Sequence, residues 1–303
     1  MLHHSPITNQ FLFRTESGVE FWIKRLDLVH PEVSGNKFFK LKYNLEEAKI
    51  KGYDTILTFG GAYSNHIYST AKAVKAIGMK SIGIIRGDEL KVLNPTLQAA
   101  KESGMQLKFI SREDYRRKNE EKFIKNLKDR FQGFYLIPEG GTNALAIHGT
   151  QEILQYSDAK FSHIACSIGT GGTFAGLALS IHPDQKLLGV SSLKGNFIHQ
   201  EIKSLLEASQ KDFVGDYEIL DSFHFGGYAK HTPELIKFIH DFYQKYQVTL
   251  DPVYTGKTAF AILDLIEKGY FKAKSKILMI HTGGLQGNLG FTERTGINLP
   301  PSG

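Results

Sequence analysis

At 303 residues the chain can bury a large core in one or two domains. Its net charge of +6 is modest, and a good part of the basic excess lies between Arg112 and Arg130 with acids interleaved. That is the pattern of a solvated amphipathic helix, and it excludes a nucleic-acid stripe. One cysteine, Cys166, excludes an intrachain disulfide, and no stretch approaches the roughly eighteen apolar residues of a membrane span, so the expectation is a soluble cytoplasmic protein with no membrane or nucleic-acid partner. Cys166 sits in the apolar run Ile164-Ala165-Cys166, where a buried thiol is expected rather than a nucleophile.

In chain order, Phe11–Phe13 and Glu20–Lys24 alternate as short strands around a Glu-Ser-Gly-Val turn. Ser34-Gly35-Asn36 is a turn signal, and Leu41, Leu45 and Ala48 follow at helical spacing as far as Lys51-Gly52. Strand–helix units then begin. Strands are predicted at Thr55–Phe59, Ser81–Ile85, Leu107–Ile110 and Phe134–Ile137. Helices are predicted between them, the last being one charged helix over 112–130. After Pro138-Glu139-Gly140-Gly141 the pattern resumes. A helix at His148–Gln155, a strand at Ile164–Ser167, a helix at Thr173–Ile181 and a strand at Leu187–Val190 lead to a helix at Phe197–Ala208. Asp216–Leu220, Pro233–Tyr246, Thr255–Lys268 and Lys276–Ile280 complete the set. Strands alternating with helices imply an α/β fold of two open, mostly parallel, twisted sheets with helices on both faces. No linker composition separates them, so the chain is expected to cross between a larger domain, 1–50 plus 147–303, and a smaller one, 51–146. A cofactor would sit in the cleft.

Glycine turns punctuate the strand ends. Ser167-Ile168-Gly169-Thr170-Gly171-Gly172-Thr173 follows a strand and opens a helix, so its backbone N–H groups can approach an anion. It lacks the Gly-Lys-Ser/Thr of a nucleotide loop, and Val190-Ser191-Ser192 offers no acid to hold a ribose, which favours a single phosphate. An aspartate at Gly171 is expected to put its carboxylate where that phosphate lies. Gly60-Gly61-Ala62-Tyr63-Ser64-Asn65-His66 also joins strand to helix and holds more polar chemistry than one helix cap needs. Phe225-Gly226-Gly227-Tyr228, Asp251–Lys257 and His281-Thr282-Gly283-Gly284 stand at further strand ends. Lys37 opens its helix beside backbone N–H groups; nearby positive charge and desolvation favour the neutral amine, a nucleophile for carbonyls.

Taken together, Gly35-Asn36-Lys37, Gly60-Gly61…Ser64-Asn65-His66, the Gly169–Thr173 turn, Asp251-Pro252-Val253-Tyr254-Thr255-Gly256-Lys257 and His281-Thr282-Gly283-Gly284 resemble the pyridoxal-phosphate (PLP) family of 1-aminocyclopropane-1-carboxylate (ACC) deaminase and D-cysteine desulfhydrase, within the tryptophan-synthase-β-like fold group. The match runs in order from about Asp27 to Gly284. The resemblance implies PLP in the interdomain cleft of a fold-type II enzyme. Lys37 would be the Schiff-base lysine and Ser64 the active-site serine. Asn65 would bind the cofactor's phenolic oxygen, with His66 beside the ring. Gly169, Thr170, Gly171, Gly172 and Thr173 would hold the phosphate. Tyr228 and Tyr254 would be the active-site tyrosines, and Thr255 and Thr282 would lie near substrate and pyridine nitrogen. Substrate contacts would come from Ser64, Asn65, Tyr254 and Thr255. No metal is implied, and a homodimer is.

Two family arginines are replaced here, by Phe39 and Tyr68. In the resemblance, ring-opening members carry Glu, Leu and Gln where this chain has Thr255, Thr282 and His66. A neutral Thr282 at the ring nitrogen implies a weaker electron sink, suited to loss of a good β-substituent. The expected activity is therefore D-cysteine desulfhydrase-like elimination from a small amino acid, giving pyruvate, ammonia and sulfide. ACC deamination is the alternative, and a PLP-binding protein with little catalysis the second.

Overall fold

The computed structural model describes residues 3–209, 213 and 215–301. Strand β1 (Asn9–Arg14) pairs antiparallel with β2 (Glu20–Lys24). Helix α1 (Asn36–Ile50) then leads into β3 (Thr55–Gly61), α2 (Asn65–Ala76), β4 (Lys80–Arg86), α3 (Pro95–Glu102) and β5 (Met105–Ile110). Two helices, α4 (Arg112–Arg116) and α5 (Glu121–Arg130), precede β6 (Phe134–Ile137). Next come α6 (Ala144–Gln151), β7 (His163–Ile168), α7 (Gly172–Ala178), β8 (Lys186–Ser191), α8 (Phe197–Ala208) and β9 (Asp216–Leu220). The chain continues through α9 (Pro233–Tyr246), α10 (Thr255–Glu267), β10 (Lys276–Ile280) and α11 (Gly287–Thr295).

The strands form a six-stranded sheet, β1-β2-β10-β7-β8-β9, and a four-stranded sheet, β5-β4-β3-β6. Every pairing is parallel except β1 with β2. Alternation along the strands divides the core. Ile164, Cys166, Ile168, Leu278 and Ile280 face one apolar cluster of the larger sheet, while Ala165, Leu188, Ile277 and Met279 face another. In the smaller sheet Leu57 and Ile84 meet Tyr115 and Leu127 on one face, and Ile85 meets Ile67 and Leu97 on the other. Apolar clusters on both faces are the signature of parallel sheets covered by helices. Cys166 is fully buried, and that burial pushes its thiol far above the ordinary range.

Three element expectations change. The charged region is two helices rather than one: α4 stops at Arg116, its start capped by Ser111 Oγ accepting from Asp114 N. Helix α6 begins four residues before the expected His148, because the Asn143 side chain accepts from Ala146 N and starts the helix there. Helix α11 has no counterpart in the sequence pattern. It carries two glycines and weak periodicity, and it is held by tertiary contacts such as Asn288 Nδ2 donating to Leu250 O at 3.3 Å. Among the described residues no helix is long and apolar enough to cross a membrane.

Candidate active site

Helix α1 is docked onto the end of β10 before it begins. Gly35 has φ 69°, and a Cβ there would lie 2.0 Å from Thr282 O, so only glycine fits the approach. Asn36 N donates to the same carbonyl at 3.1 Å, and Asn36 Nδ2 donates to Thr173 Oγ1 at 2.8 Å. The Lys37 side chain follows this docked turn and is partly accessible, with Nζ 3.1 Å from Asn36 Oδ1. Surrounding protein desolvates the amine and lowers its pKa to about 8.

One turn further along α1, Lys40 is almost fully buried and meets no carboxylate among the described residues. Its Nζ donates to Gly140 O at 2.7 Å, Thr142 Oγ1 at 2.8 Å and Thr170 Oγ1 at 3.3 Å. Thr142 and Thr170 hydroxyls are themselves 2.6 Å apart. Burial, and secondarily Lys37, hold the Lys40 amine well below the ordinary lysine range. The glycine turn after β7 wraps this amine: a Cβ on Gly172 would stand 3.0 Å from Lys40 Cε and from Thr142, and one on Gly169 would stand 3.1 Å from Tyr254 Cε1. Gly171 behaves differently. It is left-handed, φ 80°, and its Cβ would meet Leu205 and Ile202 of α8 at 2.8 and 2.9 Å. The expected reading of an aspartate at Gly171 is therefore corrected: its side chain would enter α8, not the space before the turn.

The turn after β3 spends its side chains. Ser64 Oγ caps α2 by accepting from Ile67 N at 3.3 Å. Asn65 Oδ1 accepts from Gln286 Nε2 at 2.7 Å, and its Nδ2 lies where a Gly284 Cβ would approach to 2.3 Å. His66 is buried with Nε2 2.7 Å from Thr58 Oγ1. Thr58 gives its only hydroxyl proton to Ile137 O at 2.8 Å, so the imidazole proton must sit on Nε2. Nδ1 is then a bare acceptor, buried and unpartnered, 3.3 Å from where a Gly141 Cβ would lie. Desolvation first, then Lys37 and Lys40, holds His66 neutral, well below its ordinary pKa.

Tyr254 and Tyr228 come together with ring centroids 6.2 Å apart, edge to face. Burial first, then Tyr228, raises the Tyr254 hydroxyl well above the ordinary phenol range, so it stays protonated. Asp251 sets this residue: Oδ1 accepts from Val253 N and Tyr254 N, both at 2.8 Å, and Oδ2 accepts from Thr255 N at 2.9 Å and Thr255 Oγ1 at 2.7 Å. Thr255 is fully buried, and its hydroxyl, which donates to Asp251 Oδ2 and accepts from Asp251 N at 2.8 Å, is committed within the start of α10. Thr282 Oγ1 lies 3.1 Å from Ser167 Oγ, a pair of neutral hydroxyls at the ends of adjacent strands. Phe39 is core, its ring 5.5 Å from Phe38. Tyr68 lies beneath Lys72, whose Nζ is 5.8 Å from the ring centroid.

The model of the family described as pyridoxal-phosphate dependent enzymes matches residues 4–283. This chain belongs to that family. It is 32% identical over 320 residues to the mitochondrial bifunctional D-cysteine desulfhydrase/1-aminocyclopropane-1-carboxylate deaminase of Arabidopsis thaliana, covering 93% of this chain and 77% of that one. It is 28% identical to the D-cysteine desulfhydrase of Serratia proteamaculans, covering 88% and 87%. The crystal structure of an ACC deaminase homologue superimposes with a TM-score of 0.80 at 29% identity, covering 95% and 92%.

The residues fit the cofactor this family uses. A buried amine with only neutral oxygens around it, Lys40, suits an anion, and the first N–H groups of α7 have no partner within the helix. His66 Nδ1 is an unpaired buried acceptor 3.3 Å from where a Gly141 Cβ would lie. Lys37 is a desolvated, accessible amine of the kind that bonds an aldehyde. Sequence reasoning missed Lys40 and Asp251. Asp251 could have been found, since aspartate side chains commonly accept from backbone N–H groups two and three residues on. Lys40 could not, because its partners lie 100 to 130 residues away.

Proposed function

We propose that this PLP enzyme eliminates the β-substituent from a small amino acid, D-cysteine first among candidates, to release pyruvate, ammonia and sulfide. The observation that carries the choice is the Thr282–Ser167 hydroxyl pair: no carboxylate stands at that position to strengthen the electron sink. Bound here, PLP would supply the aldehyde that captures the amino group and the ring that draws electrons from Cα. Lys37 would hold the cofactor's aldehyde end through its amine. Its Nζ, substantially neutral at mildly alkaline pH, would also be the base that takes the Cα proton, a step worth roughly 10²–10⁴-fold. Lys40, Gly169, Thr170, Gly171, Gly172 and Thr173 would hold the phosphate end, and Asn65 the ring hydroxyl. Tyr254 keeps its proton and can donate it toward the departing sulfur; Tyr228, 47% exposed, borders the open side.

ACC ring opening is the second reading, favoured by the names of the Arabidopsis enzyme and of the structural neighbour. The domain division at 51–146 and a cytoplasmic homodimer complete the proposal. The test is pyruvate release from D-cysteine, D-chloroalanine and ACC at equal concentration. Faster turnover of ACC overturns the elimination reading. Lys37→Ala should abolish activity and the yellow colour, and borohydride should leave the PLP mass on Lys37; an adduct on Lys40 or Lys42 would reassign the lysine.

A further inference from the structure

Between β9 and α9 the chain runs through a segment that local preferences do not favour. Phe225, Gly226, Gly227 and Ala229 have φ of 50°, 91°, 113° and 55°, so four residues in five are left-handed, two of them non-glycine. Tyr228 is the fifth. Such a run persists only where the surroundings over-determine it. What holds it is Lys257, from the first turn of α10, three residues after Tyr254. Lys257 is fully buried, and its Nζ donates to His224 O at 2.8 Å and Gly227 O at 2.9 Å. Phe225 adds an edge-to-face contact with Phe260 of the same helix at 5.0 Å.

We propose that Lys257 is a positioning residue for the reaction, tying the Tyr228 loop to the helix start that carries Tyr254 and so setting the distance between the two tyrosines. This rests on the reading of Tyr228 as a group that acts on substrate. The amine is an unusual fastener. Lysine is costly to bury without a carboxylate, and an apolar residue would fill the space more cheaply. Its chemistry, however, matches the need. Desolvation lowers its pKa to about 8, and the neutral amine still carries two N–H donors for the two carbonyls. The tie therefore survives loss of the proton. Because Asp251 clamps Tyr254 from the other side, both tyrosines are referenced to the first turn of α10.

The test is a double-mutant cycle on holoenzyme. Lys257→Met should lower kcat by about 10- to 100-fold, the loss expected of a displaced catalytic group, with KM and the cofactor spectrum changed little. Tyr228→Phe should lower kcat as well. In the Lys257→Met/Tyr228→Phe double variant the two losses should not multiply, leaving it within about two-fold of Tyr228→Phe alone. A purely structural lysine would lower both backgrounds equally. Lys257→Gln, which keeps an amide donor in the space, should fall between wild type and Lys257→Met and show the same non-additivity if the methionine variant does not fold. Multiplying losses, or full activity in Lys257→Met, overturn the inference while leaving Tyr228 as assigned. Full activity in Tyr228→Phe overturns the tyrosine assignment and the inference with it. Failure of both lysine variants to fold assigns Lys257 to the fold and also overturns it.

Discussion

The two strand–turn–helix junctions that face α1 are built on opposite plans. After β7 the turn is glycine and hydroxyl, and its polar capacity is backbone N–H plus a buried amine, Lys40, that has no counter-ion among the described residues. After β3 the turn is side chains, and most are already committed: Ser64 to a cap, Asn65 to Gln286, His66 to Thr58. The first offers donors that suit an anion; the second is a preset frame that leaves single buried atoms unpartnered, such as His66 Nδ1. Substitutions should therefore act on cofactor affinity at the first junction and on stability at the second.

The largest break in that contrast is expected from Lys40→Met. Removing the buried amine should weaken PLP retention by about 10- to 100-fold, the worth of a charge-assisted hydrogen bond to phosphate. The apoprotein should be no less stable, because a desolvated amine with no carboxylate beside it among the described residues is removed. Equilibrium dialysis and thermal melts of apoprotein measure the two, and unchanged retention would move the phosphate elsewhere. Thr58→Val should do the reverse. It leaves the His66 Nε2 proton and Ile137 O unpaired at a cost of about 1–3 kcal/mol in a melt, with PLP affinity nearly kept.

Gly172→Ala sharpens the first half. Alanine suits a helix start, so the fold should hold, but its Cβ at 3.0 Å from Lys40 Cε pushes on the amine, and PLP affinity should fall a few-fold. The smallest effect is pH dependence at Lys37. Its folded pKa is about 8 against an ordinary 10.5, so the unfolded chain binds the extra proton between those values. Apoprotein stability from this group must then rise with pH across that window and stay at its full penalty below it. The rate of PLP uptake should climb through about pH 8 and level above it. A climb centred near 10.5 would show that Lys37 is not desolvated.

Most of the fold was legible because its signals are local. The limits of β2, β6, α8, α9 and β10 coincide with those expected, since a strand's short apolar stretch and a helix's apolar periodicity are both read from adjacent residues. Helix α11 was not legible: a segment with two glycines is helical here only because Phe291 and Asn288 find partners elsewhere.

The sequence by itself determined the order of the turns and the residue types at each. Glycines before a helix, a lysine after Ser-Gly-Asn and a tyrosine just before a helix are properties of adjacent residues, and spacing alone reports them. Tertiary structure decided which polar atoms remain free. Thr255 looked like a substrate contact until Asp251 took its hydroxyl. Gly171 looked like a position where an added side chain would meet an anion until its missing Cβ proved to face α8. Nothing local marks the role of Lys40 or Lys257; burial strips both of water and aims them at carbonyls and hydroxyls far along the chain. Hydrogen bonding and desolvation depend on neighbours in space, and those neighbours are chosen by the packing of the two sheets around α1.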